Sequence, residues 1–443
     1  YVPGKLVIRG IMRESQWLTQ AEMAHDCGLV GKRSREQVGQ WESGKAIPSR
    51  KRRHKFLTYL LDSLKLRQNP QQFLEVWNIL VEEWGWDDLD VDEKQEYLQA
   101  DILKNPYRGL DAFSEWDADY FFGRDEQIVE LLEAVTQLPL VILFGSSCSG
   151  NTSIIQAGLI PRLRRDENRW EILQFRPKSD PFQTLAEALL TLAYPNNSQE
   201  SIAAEAHKVV HHWLSGQATI AQTVKTRLPF AGIAHLLLIV DQFEELFTSC
   251  PNPQISQNFI NVLLSLKDET SLSIKLLLAV RADFYDETLR VPALGIMLNE
   301  FQYSLPTMTQ TQLEAAILQP AHLRFTRFDE GLIGRILLDV GESPGKLALL
   351  EFALTELWKH SSDTPGRLTI AAYEASGGVQ NALINYAEKV FKNLTEQEKQ
   401  QAKNLFLQLV KPSNQHRTTR VLATRAKLGS ENWTLANKLA HSR

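Results

Sequence analysis

The sequence predicts a multidomain α/β chain whose largest part is a parallel, three-layer sheet domain. Three observations carry this prediction. An apolar run from Leu138 to Phe144, interrupted only by Pro139, stops at Gly145, as a short strand buried on both faces would. Similar runs recur at Trp170 to Arg176, His235 to Asp241 and Ile274 to Val280, with helical patterning between them. That alternation builds a parallel sheet covered by helices on both sides. Finally, the polar residues cluster just past the runs: a glycine-bounded loop after the first, Asp241 after the third and Arg281 after the fourth. Ligands of such sheets bind beyond the carboxyl ends of the strands.

Composition sets the outer bounds. A chain of 443 residues is too long for one domain, and 43% apolar with 23% charged residues is ordinary for a globular protein. No apolar run approaches the roughly 18 residues that span a bilayer, and no apolar core follows the opening Tyr1-Val2-Pro3-Gly4-Lys5 as in a signal peptide. Cys27, Cys148 and Cys250 are scattered without metal spacing, which fits a reducing cytoplasm. The chain lacks an initiator methionine and stops in mid-pattern, so it reads as a fragment.

The net charge of −5 hides an asymmetry. Residues 1–68 carry 14 Lys/Arg against 6 Asp/Glu, whereas residues 75–101 hold 10 acidic residues and one lysine. A basic head suits a polyanionic partner, or simply a solvated helical domain. Within it, Leu18 to Ala24 reads as a short helix, and Ser34-Arg35-Glu36-Gln37 is a capping box that starts a second. Val38 and Trp41 then face inward, leaving Arg35, Gln37 and Gln40 outward, side-chain types that reach base edges in a major groove. Arg50, Lys51, Arg52 and Arg53 follow, suited to phosphate contacts. Leu18-Thr19-Gln20-Ala21-Glu22-Met23-Ala24 and Trp41-Glu42-Ser43-Gly44-Lys45-Ala46-Ile47-Pro48-Ser49 together resemble the Cro/repressor-like helix-turn-helix family. The resemblance implies an all-α domain over 1–68 that contacts DNA or docks a protein. The stretch Gly28 to Lys32 makes its turn longer than the usual one.

Residues 69–104 read as a helical, acidic linker. Phe73, Leu74, Trp77, Leu80, Val81 and Trp84 fall at helical spacing and form a packing face. The run Asp87 to Glu93 lacks the central glycine and spacing of a calcium loop.

The loop after the first strand is the most informative stretch. Gly145-Ser146-Ser147-Cys148-Ser149-Gly150-Asn151-Thr152-Ser153 has the layout G-x-x-x-x-G-K-[S/T] of a phosphate-binding loop, with Asn151 where lysine belongs. Its glycines, amides and following helix can still form an anion nest. Loss of the cation predicts weakened ATP and ADP binding, with hydrolysis the first function to fail. Asp241 at the end of its strand, with Thr152, would hold Mg²⁺. Glu244 or Glu245 would polarise an attacking water. Arg281 would sense a terminal phosphate, or else pair with Asp241 or Glu244. Upstream, Phe122-Gly123-Arg124 can pack beside an adenine, with close backbone approach at Gly123.

These stretches, with Asn105 to Leu110, Val280 to Phe284, Gly341-Glu342-Ser343-Pro344-Gly345-Lys346-Leu347-Ala348-Leu349-Leu350 and Phe352 to Trp358, resemble the NTPase core of the STAND class of signal-transduction ATPases. The nearest branch is the bacterial one often fused to WD-repeat propellers. The resemblance implies a P-loop NTPase domain over 105–305, a helical domain over 306–395 whose Pro344 turn lies against the adenine, and the start of a winged helix over 396–443. Ala348 stands where relatives commonly carry proline. The class implies ATP-for-ADP exchange that drives opening and homo-oligomerisation, and a following sensor domain that is missing here. The expected role is a cytoplasmic nucleotide-governed switch in transcription control or a defence-like response. The rival is a degenerate core serving as a nucleotide-independent scaffold for a DNA-binding module.

Overall fold

The computed structural model describes residues 104–166, 170–228, 235–268, 273–341, 345–364, 366–411, 419–420 and 425–440, with short helical pieces before residue 82. Five parallel strands form the central sheet: β1 (Leu140–Gly145), β2 (Trp170–Phe175), β3 (His235–Val240), β4 (Ile274–Arg281) and β5 (Gln302–Ser304). Their order is β2-β3-β4-β1-β5. The four strands expected from the sequence are all present. The fifth, Gln-Tyr-Ser, is a polar three-residue edge that pairs with β1 from Ile142 to Phe144.

The three layers follow from the period-two alternation of side chains along a strand. Leu140, Ile142 and Phe144, with Leu236, Leu238, Val240, Leu276, Leu278 and Val280, enter one core. There they meet Phe182, Leu185 and Leu189 of helix Pro181–Ala193 and Phe259, Ile260 and Leu263 of helix Pro253–Ser265. Val141 and Leu143, with Leu237, Ile239, Leu277 and Ala279, enter a second core. That core is closed by Ile128, Leu131 and Val135 of helix Asp125–Gln137 and by the helical run from Ile154 to Leu163. Every residue of β1 is buried, so the strand ends are held rigidly in register and the loops beyond them inherit that precision. Helix starts are set by local chemistry. Asp180, Ser198 and Thr219 each accept from the backbone three residues on, and a proline follows Asp180 and Asn252 directly.

The chain divides into two compact units. The sheet belongs to the one formed by residues 108–312, 340–352 and 379–443. Helix Gln310–Leu323 starts at a capping box: Thr309 Oγ1 accepts from Gln312 N at 3.3 Å, and Gln312 Oε1 accepts from Thr309 N at 3.0 Å. Near its end, the sheet unit has helix Glu396–Leu409, a two-residue antiparallel pair Val410–Lys411 with Thr419–Arg420, and helix Arg425–Ala440.

The other unit comprises residues 1–107, 313–339 and 353–378. Tyr107 donates its hydroxyl to Ile317 O at 2.6 Å, and Asn105 donates to Thr355 O at 3.4 Å. Buried Tyr373 donates to Asp339 Oδ2 at 2.7 Å. Phe73 stacks on Trp77 and meets Phe325 edge-on, as the packing face of the linker predicted. Of the candidate DNA-contacting residues, Gln40 is helical and exposed and Arg53 opens helix Arg53–Thr58. Arg35, Gln37, Arg50, Lys51 and Arg52 lie outside the described residues, as does Pro344. Among the described residues no helix is long and apolar enough to cross a membrane.

Candidate functional site

The first half of the site is the turn between β1 and its helix. Gly150 adopts φ +95° just ahead of helical Asn151–Ser153, a left-handed conformation that glycine reaches without steric cost. Its carbonyl accepts from Ile154 N at 2.8 Å, which starts the helix. Cys148 is also left-handed, at φ +60°, and is exposed. One internal bond, Ser149 N to Ser146 O at 3.0 Å, folds the loop. Among the described residues, the N–H groups of Ser147, Cys148, Gly150 and Asn151 have no acceptor. Unpaired amides of a glycine-bounded loop can make an anion site, strengthened by the helix N-terminus behind it.

Asn151 does not extend into that concavity as a lysine would. Its Nδ2 donates to Val280 O at 3.3 Å and its Oδ1 accepts from Ser149 Oγ at 3.2 Å, so it ties the loop to the end of β4. Gly145 is needed for this: a Cβ there would lie 2.0 Å from Asn151 Oδ1. Ser153 points elsewhere, accepting from Phe113 N at 3.2 Å. Ser147 is exposed, and its hydroxyl lies 3.8 Å from the Cys148 sulfur. The segment after residue 344 lies beside the loop, where a Cβ on Gly345 would be 3.6 Å from Ser147 O and one on Gly150 would be 3.8 Å from Leu347.

The second half comes from β3 and β4. Thr152 donates to both oxygens of Asp241 at 3.2 Å. Asp241 is buried and also accepts from Gln242 N at 3.0 Å. A hydroxyl and a carboxylate touching at the mouth of an anion nest fit a magnesium ion that takes its remaining ligands from phosphate and water. Among the described residues no group of three or more His, Cys, Asp or Glu could hold a metal by itself. Glu244 is buried, and burial raises its pKa above the usual carboxylate range. It accepts from Arg281 N at 3.3 Å. Glu245 instead accepts from Lys178 N at 2.9 Å and anchors the loop after β2. Of the two candidate bases, Glu244 is therefore the one beside Asp241 and the end of β4.

Two stretches expected at the nucleotide make contacts within the protein, and the expected pairing of Arg281 with Asp241 or Glu244 is corrected. Arg281 sits opposite Gly145 in the β4–β1 register, but its guanidinium pairs with neither Asp241 nor Glu244. It grips Asp283 with two bonds, of 3.0 and 2.6 Å, and lies over the Phe284 ring. A carboxylate two residues away wins because the turn Ala282–Phe284 brings it back onto the guanidinium fork. The close approach at Gly123 is real, but it is to protein: with φ +81°, a Cβ there would lie 2.3 Å from Gln312 O. Phe122 is half-buried. Arg124, almost wholly buried, donates to Pro306 O at 2.7 Å and to Ser149 O at 3.2 Å. Burial lowers its pKa to about 10, so it remains a cation. It braces the phosphate loop from behind.

Sequence reasoning missed Arg176, the residue just past β2. Its Nε lies 3.5 Å from Asp241 Oδ2. The available signal was its position as the first polar residue after an apolar strand.

The sequence model of the family described as Novel STAND NTPase 1 matches residues 106–443. No curated protein matches the chain. Among solved structures, it is similar to the Aeropyrum pernix ORC1 protein in complex with DNA at 15% identity, covering 72% of this chain and 79% of that one with a TM-score of 0.44. It is also similar to Drosophila ORC bound to DNA at 13% identity, covering 73% and 75% with a TM-score of 0.40. For CDC6P from Pyrobaculum aerophilum the values are 12% identity, 72% and 94% coverage and a TM-score of 0.37. Likenesses this distant say nothing about what this chain binds.

Proposed function

This chain belongs to the Novel STAND NTPase 1 family, and from that premise we propose that it is a nucleotide-governed switch with weak or lost hydrolysis. The observation that supports the reading most is the direct Thr152–Asp241 contact beside a loop with four amides that lack acceptors. In this reading the free amides of Ser147, Cys148, Gly150 and Asn151 hold the phosphates of ATP or ADP, and Thr152 with Asp241 holds Mg²⁺. When bound, the metal would neutralise charge on the outer phosphates. Glu244, buried beside Asp241 and with its pKa raised by that burial, orients a water. Asn151 donates a hydrogen bond but brings no charge, which is why hydrolysis suffers first.

Cys148 gives a direct test, because it is the exposed thiol at the tip of the loop. Millimolar ATP or ADP with Mg²⁺ is expected to slow its alkylation severalfold, while alkylation of Cys250, outside the loop, keeps its rate. Protection of neither thiol, together with no nucleotide retained in equilibrium dialysis, would favour the scaffold reading.

The basic residues 1–68 serve as the output or docking module, with DNA the partner we favour, and activation proceeds through homo-oligomerisation. If Arg50, Lys51, Arg52, Arg53 and Lys55 grip phosphates, duplex affinity should fall by roughly two to three orders of magnitude between about 50 and about 200 mM salt. Salt-insensitive binding measured by anisotropy would remove DNA from the proposal.

A further inference from the structure

Asp241 is a carboxylate whose side chain is only 3% exposed, and a buried anion needs a counter-charge. In a phosphate loop of the usual sequence the loop lysine is the nearby cation, and here that position is Asn151. The other arginines near the loop are committed. Arg124 is buried on two carbonyls, and Arg281 is clamped to Asp283. Arg176 is different. Its side chain is 46% exposed, and it reaches Asp241 only at 3.5 Å, a long and loosely held ion pair.

The fold places it there by register. Phe175 pairs with Val240 on the last rung between β2 and β3, so Arg176 and Asp241 are the next residues out on adjacent strands. Asp241 N donates to Phe175 O at 3.0 Å, which fixes the rung. Gln242, held at φ +52°, completes the arrangement. With its amide oxygen toward the guanidinium it accepts from Arg176 Nη2 at 3.1 Å, while its nitrogen donates to Glu245 Oε1 at 3.3 Å. Arg176 thus closes a contiguous chain that runs from the loop through Thr152 and Asp241.

We propose that Arg176 is the cation this site uses in place of the loop lysine. With no nucleotide present it neutralises Asp241. When the Asp241–Thr152 pair takes a magnesium ion, the guanidinium is released toward the outer phosphates, where its planar fork suits phosphate oxygens. It therefore favours the triphosphate over the diphosphate. The inference rests on the nucleotide-binding reading above.

The test is equilibrium dialysis of ATP and ADP at stepped Mg²⁺ on the full chain, comparing native protein with Arg176→Gln, Arg176→Lys and the double variant Arg176→Gln/Asn151→Lys. Arg176→Gln should weaken ATP roughly tenfold or more and ADP less. The Mg²⁺ needed to half-saturate ADP binding should fall, because Asp241 has lost its competitor. Arg176→Lys should keep most of the ATP preference, and Asn151→Lys should restore ATP binding to the glutamine variant. A glutamine variant with the native ATP-to-ADP ratio and native Mg²⁺ requirement overturns the assignment while leaving nucleotide binding intact. So does one that melts like native protein yet is not rescued by Asn151→Lys. Native protein that binds neither nucleotide overturns both readings.

Discussion

Asn151→Lys is expected to tighten ATP binding by about one to two orders of magnitude and ADP binding by less. The figure is that of a charge-assisted hydrogen bond to phosphate, roughly 1.5–3 kcal/mol. What the change removes is modest: one 3.3 Å bond to Val280 O and one 3.2 Å bond from Ser149 Oγ, both within the protein. What it adds is a positive charge at the mouth of an amide nest. The lysine stem has room to leave Gly145, which has no Cβ to obstruct it. Titration calorimetry with ATP and ADP on native and variant protein measures the difference. Unchanged ATP affinity would mean that the site does not miss the cation. Because Arg176 and a new lysine would share one phosphate group, their effects should not add.

Gly123→Ala should be the most damaging single-methyl change near the site. The residue combines φ +81° with an ideal Cβ position 2.3 Å from a backbone oxygen, that of Gln312, and 2.6 Å from the Met308 methyl. Left-handed backbone costs an alanine about 1–2 kcal/mol, and overpacking against immovable backbone costs about 1–3 more. The melting temperature should therefore drop by about 5–15 °C. Gly331→Ala is the control, because Gly331 has a similar φ of +77° but open space around it; it should lose only the backbone part. Equal melting shifts for the two would rule out the steric argument. The damage reaches the phosphate loop through the adjacent Arg124, which holds Ser149 O.

How much of this was legible in the sequence depended on the kind of signal. β1, β3 and β4 announced themselves as apolar runs because they are buried on both faces, and the edge strand β2 as a shorter apolar pattern broken by Glu171 and Gln174. β5 did not, since an edge strand reading Gln-Tyr-Ser has no hydrophobic pattern to detect. Gly145, Gly150, Thr152 and Asp241 were legible because motif spacing fixes backbone positions, and the structure brings Thr152 and Asp241 into contact. Side-chain commitments were not legible. That Arg281 takes Asp283, that Arg124 turns inward to two carbonyls, and that Glu245 serves Lys178 are competitions between neighbours at ångström scale. The role of Arg176 was hidden more deeply. It depends on β2 lying beside β3, a pairing between strands some 60 residues apart, and strand order leaves no mark in local composition.

The helix that follows the loop changes form along its length. After its first turn, Ile154–Leu159 adopts the wider π form before α-geometry resumes at Ile160–Arg165. A π-turn is the way a helix absorbs one extra residue without rotating what comes after it. Gly158 sits in this turn pressed against Ile128, and Ile160 and Leu163 beyond it still face the second core. Chain length can therefore change by one residue here without re-phasing the helix. Elsewhere in the same helix, a single deletion would swing every later side chain by about 100°. The segment joining the phosphate loop to the core is thus where a change of one residue would leave the rest of the helix in phase.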